Sequence, residues 1–271
     1  LYEVSGSGLV DEQGHEIRGV RAATWNIAAI NNNPFEYWIT WDNDNYVRLM
    51  QDVSEAMKNP GSRDVPVKSV FTEEMFADLS QHMTDVGFEG VDQVKAMWDN
   101  DYKDRPIISG FLKDGILGKK RLASMPDRTT NTIVESDGKT TTYRPTVINC
   151  YGGDLGTQEM WWTQWKTFIF DTSVTISGSE GEQTSPVHKL LRPISKAKYP
   201  SITEEEEKVS VPLSTMCGAI FDAILVHLLN SMTDTPWQPI RSEMCEKLNK
   251  KKTFGQDSNE LVGQGDDEEI I

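Results

Sequence analysis

Leu213-Ser-Thr-Met-Cys-Gly-Ala-Ile-Phe-Asp-Ala-Ile-Leu-Val-His-Leu-Leu-Asn-Ser-Met232 is the most apolar segment of the 271-residue chain. Its apolar side chains, among them Met216, Ile220, Phe221, Ile224, Leu225, Leu228 and Leu229, cover nearly the whole circumference of a helix. A helix that is apolar all round has to be enclosed on all sides. Its length approaches that of a membrane span, but Asp222 and His227 fall inside it, and a carboxylate at mid-bilayer is costly. The segment therefore reads as the central helix of a soluble bundle, with Asp222 a hydrogen-bonded core or interface carboxylate. Asp222 and His227 stand on different faces, unlike the i, i+4 spacing that brings two metal ligands together.

Working outward, helical spacing recurs through most of the chain. Tyr46, Met50, Val53 and Met57 form an apolar stripe that stops at Asn59-Pro60-Gly61. Thr72 offers an N-cap, with Glu73 and Glu74 favourable in the first turn, ahead of Met75, Phe76, Leu79 and Met83. Val91, Val94, Trp98 and Tyr102 make a further stripe closed by Arg105-Pro106. Over 158–170, Trp161, Trp165, Phe168 and Ile169 share one face with Trp162 beside it, which suggests a packing platform. Thr203-Glu204-Glu205-Glu206 is a capping box, and Ile240, Met244 and Leu248 mark a last helix with Lys250, Lys251 and Lys252 at its C-terminal end.

The remaining stretches predict strands and connections. Asp137-Gly138 is a hairpin turn between 129–134 and 140–150, while the rest of 107–143 is loop-like. Residues 177–185 read as a flexible polar surface loop and 189–200 as a basic, proline-marked connection. The expected fold class is α+β, predominantly helical, with a few N-terminal and central strands and an inserted helical bundle. Three regions follow: an N-terminal arm, first sheet strand and Asn-rich loop over 1–41; a mainly helical region with a central hairpin over 42–254; and an acidic flexible tail over 255–271.

Composition narrows the function classes. The formal charge of −15 and pI near 4.7 argue against broad phosphate-backbone binding, which relies on clustered Lys and Arg. The short basic runs Lys119-Lys120-Arg121 and Lys250-Lys251-Lys252 read as solvated helix ends or loops, and the tryptophan-rich helix has only Lys166 to support base stacking. Cys150, Cys217 and Cys245 are widely spaced and odd in number, so neither a disulfide framework nor a Cys-x-x-Cys metal site is expected. That usage suits an intracellular, reducing compartment. Leu1 in place of Met gives the N-terminus a trimmed look, which leaves organelle targeting open. The commonest dinucleotide, nucleotide, zinc-protease and serine-hydrolase motifs are absent.

The best site candidate is the stretch over 20–39, where a β-rich run over 20–27 leads to Asn31-Asn32-Asn33 and then, after Pro34, to an aromatic segment. Asparagine clusters ligate metals, bind phosphates or sugars, or make tight turns, and turns are their commonest use.

At Ala23-Thr24-Trp25-Asn26-Ile27 the chain resembles the opening motif of the endonuclease/exonuclease/phosphatase superfamily, the DNase I-like fold, in which a first sheet strand ends in Trp-Asn. The block over 24–38, with Lys119-Lys-Arg-Leu-Ala-Ser-Met-Pro-Asp-Arg128 and Pro212-Leu-Ser-Thr-Met-Cys-Gly-Ala-Ile-Phe-Asp222, is similar to algal and protist members with a helical insertion after that strand. The resemblance implies that Asn26 lies at a divalent-metal site, for which Mg²⁺ is suited because the substrate phosphate completes its octahedron. It also implies a ligating glutamate on the next strand, in a Leu-Gln-Glu context, and later Asp, Asn and His residues. None of these follows Asp266-Asp-Glu-Glu-Ile-Ile271 here, so the implied function is that of the N-terminal portion of a metal-dependent phosphoesterase-like protein, without the remaining catalytic groups. For Asn26, satisfying loop backbone groups is the other reading. The alternative function is a non-catalytic interaction or accessory subunit of a larger assembly with protein partners, motivated by the eight tryptophans, the acidic charge and the polar connections.

Overall fold

The computed structural model describes residues 41–123, 129–178, 181–231 and 236–258, the last eleven of these by backbone alone. The N-terminal strand with Asn26, the Asn31 to Asn33 loop and the acidic tail beyond 258 lie outside the described residues.

The helices begin where their capping side chains place them. Helix α1 (Asp44–Lys58) starts at Asn43, whose side chain accepts from the Tyr46 amide at 3.0 Å. Helix α2 (Glu73–Asp85) starts at Thr72, which accepts from the Met75 amide at 3.3 Å. Each satisfies an amide that the first turn leaves without an intrahelical partner. Helix α3 (Val91–Asn100) follows Gly90, whose φ of 82° and tight approach to Val209 both require glycine: a Cβ there would fall on the valine's Cγ1.

The stretch expected as loop over 107–143 holds more structure than its pattern suggested. Residues Ile107–Leu112 form a π-helical turn and Gly115–Lys119 form helix α4. The caps explain why. The Asp64 carboxylate accepts from the Ile108 amide at 2.7 Å and also from Ser109, so this turn is capped from far along the chain. Asp114 accepts from the Ile116 and Leu117 amides at 2.7 and 3.0 Å. After it, strands β1 (Thr132–Val134) and β2 (Thr141–Tyr143) pair antiparallel about Asp137 and Gly138, as the turn signal predicts.

Helix α5 (Gln158–Lys166) continues as a π-helical turn over Thr167–Asp171. Its tryptophans form the packing platform read from the sequence: all are buried, and each indole N–H has an acceptor. Trp161 donates to the Pro145 carbonyl at 3.0 Å, Trp162 to Asp78 at 2.9 Å and Trp165 to Asp222 at 2.9 Å. The polar segment expected as a flexible loop over 177–185 is instead most of a second hairpin, β3 (Ser173–Gly178) paired antiparallel with β4 (Gly181–Pro186). Val174 and Ile176 alternate on the inner side of β3 and pack on the core, but the pair is short and β4 (Gly-Glu-Gln-Thr-Ser-Pro) offers no apolar alternation to match it. Cross-strand contact of the Thr175 and Thr184 hydroxyls, and a bond from the Ser136 amide to the Thr175 carbonyl at 2.8 Å, add to that anchoring.

Helix α6 (Glu204–Lys208) carries the expected capping box and leads into α7 (Ser210–Ser231). By length and composition α7 matches a membrane span, yet 89% of its apolar window is buried by the protein itself. Helices α2, α3, α5 and α6 all pack against it. At its centre Asp222 is 0% exposed, with Oδ2 at 2.8 Å from the Arg144 Nε and 2.9 Å from the Trp165 indole. Burial pushes the Asp222 carboxyl up, against the opposing pull of Arg144, Thr146 and Trp165.

Helix α8 (Trp237–Ser258) runs past Gly255, where the flexible tail was expected to begin, and packs along α1. It also corrects the reading of the cysteines as unpaired. Cys150 and Cys245 form a disulfide, Cα atoms 5.7 Å apart, leaving Cys217 free and buried. At a sequence separation of 95, spacing carried no sign of the pair. Arg241 fastens the same place, donating to the Thr146 and Tyr151 carbonyls at 2.9 and 2.6 Å. The result is a predominantly helical α+β domain with two small antiparallel hairpins on one helical core.

Two outcomes follow. Asp222→Ala removes the carboxylate that faces the buried Arg144 guanidinium, and is expected to lower unfolding free energy in denaturant titration by about 3–5 kcal/mol. Replacing Asp222 and Arg144 together with apolar residues of similar volume recovers most of that loss. Reducing the disulfide, or Cys150→Ser, lowers the thermal midpoint by the equivalent of about 2–5 kcal/mol. Cys217→Ser leaves this response to reductant in place.

Candidate binding cleft

Between α3, α4 and α6 lies an open cleft of about 830 Å³, within the usual size range of ligand sites. Its apolar surface comes from Ala96, Met97, Leu117 and Val209, and Ile116 stands on its lining 63% exposed. The close approach of Gly90 to Val209 sets how α3 meets the start of α7, and so shapes one side of the cleft.

The polar wall is built from two ion-pair systems. Arg105 donates from Nε and Nη2 to the two Asp101 oxygens, both at 2.8 Å. Its Nη1 donates to Asp114 at 2.8 Å and to the Gly110 carbonyl at 2.9 Å, and the guanidinium lies over the Tyr102 ring. Burial works against the Arg105 charge, but Asp101 and Asp114 outweigh it and raise its pKa above the ordinary value. In the second system Lys120 Nζ lies 2.8 Å from Glu206 Oε1, with both side chains largely buried.

Local structure delivers this second pair. The capping box bonds Glu206 Oε2 to the Thr203 amide at 2.9 Å, which fixes the carboxylate and turns Oε1 to Lys120. On the other side α4 ends with Arg121 at φ 61°, while bonds from Arg121 to the Gly118 carbonyl and from Leu122 to the Leu117 carbonyl close the helix. The basic run Lys119-Lys120-Arg121 is thus partly structural: Lys120 is paired in the cleft and Arg121 lies over Tyr199.

Below the wall, burial pushes the Tyr102 hydroxyl and the Cys217 thiol up, so both stay protonated at neutral pH. With the buried charges of its wall, Arg105, Lys120 and Glu206, paired internally and only the exposed Glu205 and Lys208 besides, the floor of the cleft is suited to an apolar group. A second polar cluster lies away from it. Asp78 accepts from Trp162 and from Lys166 at 2.9 and 2.6 Å and faces His82 at 3.3 Å, which binds α5 to α2.

The site residues read from the sequence fall elsewhere. Asn26 and Asn31 to Asn33 lie outside the described residues. Asp222 is a core carboxylate, and His227, whose pKa burial lowers, is not among its partners. Among the described residues no three His, Cys, Asp or Glu side chains converge as a metal site, so no donor set for Mg²⁺ is found there. The cleft itself was missed. Its traces were the capping box and the basic run, two local signals whose pairing is long-range.

Glu206 makes the cleft pH-sensitive. Burial raises its pKa, but Lys120 and the Thr203 amide and hydroxyl outweigh it and hold the carboxyl below its ordinary value. A carboxyl depressed on folding contributes stability in full above its unfolded pKa of about 4.3 and loses it as pH falls through the lower folded value. Stability followed from neutral pH downward is expected to show this acid limb, and Lys120→Met to flatten it.

No curated protein and no solved structure matches the chain. Residues 64–242 match a family described as a domain of unknown function (DUF8234). The matched region runs from Asp64, which caps the turn before α4, to the first turns of α8, and includes the cleft and the Asp222 pair. Because the match covers most of the chain, this protein belongs to the DUF8234 family.

Proposed function

We propose that the helical domain is a binding module inserted into a phosphoesterase-like protein, and that it does not itself supply the catalytic groups. The observation that carries this reading is the return of the chain to its entry point. Helix α8 packs along α1, and Lys247 Nζ lies 4.5 Å from the centre of the Trp41 ring just ahead of α1. A domain entered and left through neighbouring helices fits into a loop of a host fold, since domain insertion is tolerated where the two ends lie close together. The resemblance around Asn26 supplies the host. Of the two other blocks that carry it, one begins at Lys119, the last residue of α4, and the other lies in the first half of α7.

Within this reading the cleft holds an apolar group of a partner or ligand. Ile116 offers exposed apolar surface there, and Lys120, Glu206 and Arg105 keep their charges paired beneath it. Mg²⁺ belongs to the host site around Asn26.

The test is hydrolysis of bis(p-nitrophenyl) phosphate by the native polypeptide with and without Mg²⁺. Hydrolysis that depends on Mg²⁺, falls by about ten- to a hundredfold in Asn26→Ala, and survives replacement of 44–247 by a short Gly-Ser linker supports the proposal. Absence of Mg²⁺-dependent hydrolysis removes the phosphoesterase host. Hydrolysis abolished by Lys120→Met and Glu206→Gln in folded protein places chemistry in the cleft and removes the binding-module reading.

A further inference from the structure

A second concavity, separate from the cleft, lies along β2. It measures about 500 Å³, with Tyr143 and other β2 residues on one side, Thr163 and Phe168 on the other, and Pro145 and Tyr151 between. No Asp, Glu, Lys, Arg or His lines it.

The hydrogen-bond register shows what β2 turns toward this groove. The Arg144 amide donates to the Asn131 carbonyl at 3.2 Å and the Glu135 amide to the Thr140 carbonyl at 2.9 Å, while Ile133 stands opposite Thr142. Bonded pairs alternate along an antiparallel ladder, so Thr142 bonds to β1 while the N–H and C=O groups of Thr141 and Tyr143 point away from it. Among the described residues those groups bond nothing else. On the far side of the hairpin the position is taken, since Ser136 and Glu135 bond to Thr175 of β3. The open edge is therefore β2, and it offers two residues of outward donors and acceptors beside an uncharged groove.

The surroundings select the charge of an occupant. At the turn end of β2, Asp137 accepts from the Thr140 hydroxyl and stands beside the exposed Lys139. Asp154 and Glu159 hold Gln164 and Thr163 through their carbonyls, with their own side chains exposed. Lys166, the nearest base on α5, is committed to Asp78. On its α5 side the uncharged groove is thus bordered by the exposed carboxylates Asp154 and Glu159, in a chain of formal charge −15.

We propose that β2 is a docking edge for an extended segment of a partner polypeptide, which adds as a third strand with uncharged residues over the groove and Lys or Arg on its flanks. Three residues of β2 span about 10 Å, so recognition covers about three peptide residues plus flanks. Backbone bonds supply the affinity, and Asp154 and Glu159 on the α5 side, with the acidic charge of the chain, supply the preference for basic flanks.

The probes are fluorescein-labelled peptides Lys-Lys-Val-Thr-Val-Lys-Lys and Glu-Glu-Val-Thr-Val-Glu-Glu, titrated with the full chain at low salt and read by fluorescence anisotropy. The lysine-flanked peptide is expected to bind at least about tenfold more tightly. N-methylation at alternate backbone positions is expected to remove binding while methylation at the intervening ones leaves it, because only every second amide of an added strand faces its neighbour. Tyr143→Pro removes one outward donor and leaves the bonds of Thr142 to β1 in place, and is expected to weaken binding by about tenfold. If that variant unfolds, the methylation series decides alone, because the protein is unchanged in it. No binding by either peptide, losses indifferent to which amide is methylated, or full binding to folded Tyr143→Pro overturns the proposal.

Discussion

The structure depends on one carboxylate placed where no solvent reaches it. Asp222 sits at the centre of a helix that is apolar on every side, and an isolated charge there would prevent the bundle from closing. Arg144, just after β2, and Trp165, on α5, supply its partners, so a hairpin, a tryptophan helix and the core helix meet at one point. A pair of this kind adds little net stability over an apolar replacement of the same shape. What it fixes is rotation. Helix α7 has no polar face to orient it, and only one setting presents Asp222 to both partners.

Much of this was legible because it is local. The stripes of α1, α2 and α3, the caps Thr72 and Thr203, the Asp137-Gly138 turn and the enclosed character of α7 are each written within a few residues, and together they give a predominantly helical α+β fold. What escaped is long-range. The π-helical turn at Ile107 is capped by Asp64, the second hairpin is anchored by Val174 and Ile176 with hydroxyls and backbone across the rest, and Cys150 finds Cys245 only because α8 returns along α1. Loop character was inferred wherever no short-range partner was visible.

The cleft shows the same division. Glu206 was legible as a capping residue and Lys120 as part of a basic run, yet neither signal says that they face each other. The pairing requires α4 to end at Lys120 through a residue with positive φ, and α3 to approach Val209 closely enough to exclude a side chain at Gly90. Asn26 was legible as a residue of interest by resemblance alone.

The tryptophan helix also carries a consequence for optical spectroscopy. The ring centres of Trp161, Trp162 and Trp165 lie 5.7–6.2 Å apart at fixed mutual angles, with Trp162 and Trp165 nearly parallel. Indoles held this close share their ultraviolet transitions as coupled oscillators instead of absorbing singly, and coupled oscillators in a chiral arrangement produce paired circular-dichroism bands. The domain therefore has a built-in chromophore whose signal reports the packing of α5 on Asp222 and Asp78, and that signal overlaps the helical bands of the backbone.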